Sequence, residues 1–155
     1  GQADGVRVID DYAHHPTEIE ALLRTAREVA QERGGRVLVL FQPHLFSRTR
    51  AFADRFGQAL ALADVVVVAD VYPAREAQAD FPDITGDTVA RRVTGDKASF
   101  VADRRDAAHA AAALTRPGDL LLTVGAGDVT ELSAIVLADL TAREGAAPGS
   151  PEDRG

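Results

Sequence analysis

Val37-Leu38-Val39-Leu40-Phe41 is an unbroken apolar run of strand length, the pattern of a strand buried on both faces of a parallel sheet. Gly34-Gly35 precedes it and Gln42-Pro43 closes it. The same pattern returns at residues 65–69 and 120–124, and shorter strands are expected at residues 6–9 and 99–102. Between them the apolar spacing is helical. Ile19, Leu22, Leu23, Ala26, Val29 and Ala30 share one face of a helix ending near Arg33, and Phe52, Phe56, Ala59, Leu60 and Ala63 mark a second after a polar stretch at residues 42–50. Further helices are expected at residues 87–93 and 104–114 and around Leu132, Ile135, Val136 and Leu140. Strands alternating with helices define an α/β fold of three layers, a mostly parallel sheet with helices on both faces.

Helix starts can be placed from capping chemistry. Pro16 suits a first turn, Thr17 and Glu20 have capping-box spacing, and so do Asp128 and Glu131. Residues 10–15 then form a strand-to-helix loop, and residues 70–85, with Pro73 and Pro82, a long irregular one. One domain is expected over residues 1–144, with a disordered tail of Gly, Pro, Ser and charges over residues 145–155.

Composition narrows the function. The formal net charge of −7 opposes binding to nucleic acid or anionic lipid. No apolar run approaches the roughly 20 residues of a bilayer span and no signal-peptide pattern opens the chain, so a cytoplasmic domain without membrane insertion is expected. Cysteine is absent, which removes disulfide and thiolate chemistry; methionine is absent too, so the chain reads as a fragment. Only Lys97 among 17 basic residues is lysine, the bias of a GC-rich genome.

Ligands of open parallel sheets bind beyond the carboxyl ends of the strands. Loops at residues 10–16, 42–50, 70–76 and 125–128 should meet there as one rim and gather Asp10, Asp11, Tyr12, His14, His15, His44, Arg48 and Arg75. Each residue singly has a structural explanation, as cap, solvated loop residue or surface charge; the set points to a site. A metal centre is disfavoured, because adjacent histidines rarely chelate one ion and no His-x-x-x-His spacing occurs. Gly125-Ala126-Gly127-Asp128 lacks the third glycine of a dinucleotide fingerprint and follows the last strand; a tight turn explains it, though its amides could meet a phosphate. There is no Walker phosphate loop and no Gly-x-Ser-x-Gly elbow.

The loops nevertheless carry a resemblance. Asp10-Asp11-Tyr12-Ala13-His14-His15-Pro16-Thr17-Glu18 and Phe41-Gln42-Pro43-His44-Leu45-Phe46-Ser47-Arg48-Thr49 resemble two segments of the C-terminal domain of the UDP-N-acetylmuramate–L-alanine ligases, a branch of the Mur ligase family. Val71-Tyr72-Pro73-Ala74-Arg75-Glu76 and Gly125-Ala126-Gly127-Asp128 match later loops in the same order, so that the resemblance covers residues 6–140. It implies a Rossmann-like domain of about six strands, one more than the five assigned above.

It also implies a reaction in which ATP phosphorylates the muramyl carboxylate and the amine of L-alanine attacks the acyl phosphate. This chain would supply the amino-acid pocket, through Tyr12, His14, His44 and Arg48, and part of the ATP site, through Asp11; Arg75, Gly125 and Gly127 would complete the rim. An arginine fork suits the substrate carboxylate, and His44 is a candidate to handle the amine proton. The UDP-binding domain and the central ATPase domain with its ATP and Mg2+ ligands lie outside the chain, which alone should turn over nothing. Two departures stand out: Leu45 where some members carry arginine, and Phe46 in place of tyrosine, which removes a hydroxyl from the second motif. The nearest alternative is the paralogous ligase that recycles murein tripeptide, which differs at the second motif. A noncatalytic nucleotide-sensing module is another.

Overall fold

A computed structural model describes residues 1–146. Six strands form one sheet in the order β1-β2-β6-β3-β4-β5. β2 (Val6–Asp11), β3 (Val37–Phe41), β4 (Val65–Val68), β5 (Ala98–Phe100) and β6 (Leu120–Val124) are parallel; β1 (Gln2–Ala3) is antiparallel to β2. β1 is the sixth strand. Two residues leave no periodicity to read, and pairing across the turn at Asp4 and Gly5, both at positive φ, makes it a strand.

α1 (Pro16–Glu32), α2 (Phe46–Leu60) and α3 (Asp87–Ala90) cover one face. There Ile19, Leu23, Phe56, Leu60 and Val89 pack on Val39, Phe41, Val68 and Leu122. α4 (Arg104–Leu114) and α5 (Val129–Ala146) cover the other, with Leu132, Val136, Leu140 and the α4 alanines against Val8, Leu38, Leu40 and Leu121. Each of β3 and β6 is buried throughout, as expected of strands sandwiched between helix layers.

Several boundaries differ from expectation. β2 continues through Asp10 and Asp11 because these residues pair with Thr123 and Val124, so they end a strand instead of opening a loop. The box at the start of α1 uses His15 and Glu18, not Thr17 and Glu20: Thr17 N–H donates to His15 Nδ1 at 3.3 Å, and His15 N–H to Glu18 at 3.2 Å. Pro16 takes the first helical position, where its missing N–H costs nothing. α2 begins at Phe46, so Ser47, Arg48 and Thr49 lie in its first turn and not in a loop. β5 starts one residue earlier than expected and ends at Phe100. Asp128 and Glu131 do not act as a local box; their carboxylates hold Arg104 and Arg105 of α4. α5 runs through Gly145 to Ala146, two residues into the expected tail, the rest of which lies outside the described residues.

At the amino ends of the strands the buried carboxylate of Asp119 is fully paired. The Asp119 carboxylate accepts from Arg36 N–H, Nε and Nη2 at 3.0, 3.3 and 2.8 Å and from Arg116 N–H at 2.8 Å. Burial alone would raise its pKa, but these hydrogen bonds and the Arg36 charge hold it below the usual carboxylate range. Asp64 accepts from Val37 N–H at 2.8 Å. Backbones touch beside them: a Cβ on Gly35 would stand 1.9 Å from the Gly118 carbonyl oxygen.

Candidate functional site

The chain passes from β2 to α1 and from β3 to α2 on one face, whereas β6, lying between β2 and β3, leads into α5 on the other. Loops therefore diverge on either side of β6, the topological condition for a ligand crevice. The rim is built around it.

His44 lies at its centre. Its ring stacks on Tyr72 with centroids 5.8 Å apart and planes 15° from parallel. The backbone fixes that stack by extending the β3/β4 pairing beyond the strands: Tyr72 N–H donates to Pro43 O at 2.8 Å and Leu45 N–H to Tyr72 O at 2.9 Å. Arg48, one helical turn on, places Nη1 3.4 Å from His44 Nδ1. A guanidinium can only donate, so Nδ1 accepts and the ring proton sits on Nε2. Burial, then the charges of Arg48, His14 and Arg75, lower the His44 pKa against an opposing Glu76; the imidazole is neutral at pH 7. Neither Arg48 nor Arg75 pairs with a carboxylate among the described residues.

The other expected residues divide into two groups. His14 faces the rim, its Nδ1 2.9 Å from Tyr12 O and 3.9 Å from Glu18. Tyr12 is 63% exposed, an aromatic ring left to solvent at the lip. Asp11 accepts from Ala13 N–H at 2.8 Å, which turns the chain toward α1. His15 and Asp10 are structural: the first caps α1 with its ring 5.2 Å from Phe52, the second accepts from Thr130 on the α5 side. Gly125, at φ 149, lies so close to Gln42 that a Cβ would come within 2.7 Å of its carbonyl oxygen. A Cβ on Gly127 would meet Gln42 Oε1 at 3.2 Å and the Tyr72 ring at 3.3 Å. Close packing on Gln42 and Tyr72 leaves little room for a side chain at either glycine.

Phe46 is buried and stacks on Phe81 beside Val71 and Ile84. The Phe46 ring thus anchors the 70–85 loop. Two contributors escaped the sequence. Glu76 accepts from Ser47 N–H at 3.1 Å and Ser47 Oγ at 2.5 Å. Gln42 is 4% exposed, and its side-chain oxygen is buried without a hydrogen-bond partner. Both depend on contacts between loops, which no local spacing reveals. Among the described residues no three His, Cys, Asp or Glu gather as a metal set.

Known proteins share this fold. The model of the Mur ligase, glutamate ligase domain matches residues 1–127. UDP-N-acetylmuramate–L-alanine ligase of Kineococcus radiotolerans is 63% identical over 139 residues, 88% of this chain and 29% of that protein. The chain thus spans under a third of the length of this relative. The crystal structure of UDP-N-acetylmuramate-alanine ligase from Thermotoga maritima superposes with a TM-score of 0.70 at 32% identity, over 90% of this chain and 28% of that one. A murein peptide ligase from Psychrobacter arcticus reaches 0.71 at 18% identity, over 91% and 28%, a likeness of fold alone. With the family model matched over most of its length, the chain belongs to the Mur ligase family.

Proposed function

We propose that the chain is the amino-acid-binding domain of an ATP-dependent ligase that joins L-alanine to UDP-N-acetylmuramate, a step of peptidoglycan precursor synthesis in the cytoplasm. The observation that carries this is the Arg48–His44 pair, a guanidinium without a carboxylate partner beside a neutral imidazole. Its relatives' printed activity favours this reading over tripeptide recycling, since the murein peptide ligase shares only the fold.

In this reading the longer enzyme transfers the γ-phosphoryl group of ATP to the muramyl carboxylate. The alanine nitrogen then attacks the acyl phosphate, forming the amide and releasing phosphate. ATP and Mg2+ would be held chiefly by the central ATPase domain, the partner of this rim, with Asp11 reaching the nucleotide ribose. Here Arg48 turns its fork to the alanine carboxylate, a charge-assisted contact. That movement frees His44 Nδ1 as an acceptor for an amine proton, while Nε2–H remains a donor. Tyr12, His14 and Arg75 close the lip, and the tight 125–127 turn limits the room beyond it.

Phosphate release by the longer enzyme, followed with ATP and UDP-N-acetylmuramate, should depend on L-alanine, and the 155-residue chain alone should release none. Dependence on a murein tripeptide, or no amino-acid dependence at all, would overturn the proposal.

A further inference from the structure

Helix α2 begins without a cap of its own. Its N-cap residue is Leu45, at φ 67, and no side chain of the preceding segment accepts from the first turn. Unpaired first-turn N–H groups are a standing cost at any helix start, and a leucine at positive φ adds strain. Yet this turn carries Arg48 and sets its distance to His44.

The missing acceptor arrives from another loop. Glu76, 29 residues further along the chain, accepts from Ser47 N–H and Ser47 Oγ. A carboxylate at a helix N-terminus also complements the helix dipole. The hydrogen bond from the Ser47 hydroxyl, with those from the backbone at the start of α2, outweighs desolvation and lowers the Glu76 pKa, with help from Arg75. The loop bearing Glu76 is the one that bears Tyr72 and Arg75, and its own turn closes through Glu76 N–H to Pro73 O at 2.9 Å.

We propose that Glu76 is a positioning residue of the amino-acid pocket: as the N-cap of α2 supplied in trans, it clamps the helix that carries Arg48 to the loop that carries Tyr72. This rests on the amino-acid reading of the rim. The clamp makes the His44–Tyr72 stack and the Arg48–His44 contact parts of one rigid unit, so that the pocket is formed before the substrate arrives.

Three variants test it: Glu76→Gln, which keeps an acceptor oxygen, Glu76→Ala, which keeps none, and Ser47→Ala, which loses only the hydroxyl bond. In the 155-residue chain, amide exchange at Ser47 should accelerate about tenfold or more in Glu76→Ala and little in Glu76→Gln. Unchanged exchange in Glu76→Ala would overturn the cap. In the longer enzyme, below the melting temperature of every variant, Glu76→Ala should raise the alanine KM about tenfold and leave the ATP KM within about twofold. Glu76→Gln should restore most of the loss, with Ser47→Ala between them. Faster exchange with an unchanged alanine KM would reduce Glu76 to a structural cap and overturn the positioning role. Faster exchange in a parent enzyme that ignores alanine would instead defeat the functional reading and leave the cap intact.

Discussion

The two ends of the sheet handle polar groups in opposite ways. At the amino end, Asp119 is 3% exposed at its side chain and takes four hydrogen bonds, three from Arg36 and one from Arg116. At the carboxyl end, Arg48 has only a histidine beside it and Gln42 keeps a buried oxygen without a partner. Closed networks rigidify a fold, whereas unpaired groups collect where a ligand is to complete them. Residue chemistry alone does not separate the ends, since each has arginine and aspartate. What separates Asp119 from Arg48 and Gln42 is whether their polar groups are satisfied.

The contrast can be broken most forcefully at the amino end. Asp119→Ala strands Arg36 and two part-buried amides, and unfolding of the chain by urea should show a loss of about 3–5 kcal/mol. Its pH dependence follows from the lowered pKa: the stabilisation is complete above the unfolded-state value near 3.9 and vanishes as pH falls through the lower folded value, so the variant should lose part of the acid-side slope. Arg48→Ala should act at the other end and in another assay, weakening alanine use by the longer enzyme by about 1.5–3 kcal/mol, one to two orders of magnitude in kcat/KM. Its melting temperature should match the parent's, and a large loss of stability would make Arg48 structural. Gln42→Met should reverse the sign seen at Asp119, stabilising the chain by up to about 1 kcal/mol because an unpaired buried oxygen is removed; destabilisation would show that the oxygen is satisfied in solution. The smallest effect is expected of Phe46→Tyr, a change in alanine KM below about twofold, since the ring faces Phe81 and not the crevice.

Much of this was legible in the sequence because burial imposes patterns. Residues 37–41 and 120–124 could hardly be anything but central strands, and strand ends followed by loops rich in His and Arg placed the rim. What escaped was non-local. The start of α2 at Phe46 depends on Glu76 reaching across from the β4 loop, so the local sequence suggested a loop as far as Arg50. His15 read as a rim residue because its neighbour is one; its role as a cap follows from a backbone φ of −116° that Pro16 imposes. β1 had too few residues to show a period at all. The roles of the rim residues toward substrate came from resemblance, and the geometry around Arg48 and His44 is what makes them testable.

Both margins of the sheet are brief: β1 contributes two residues and β5 three. An open strand edge is a template on which a second chain can add its own backbone, and the hazard grows with the length of unpaired ladder. Here the long apolar strands β3 and β6, the segments best suited to stacking between molecules, are enclosed by neighbours on both sides. Self-templating would first require the outer strands to peel away, so concentrated samples of the folded chain should resist fibril growth even though the centre of the sheet is almost wholly aliphatic.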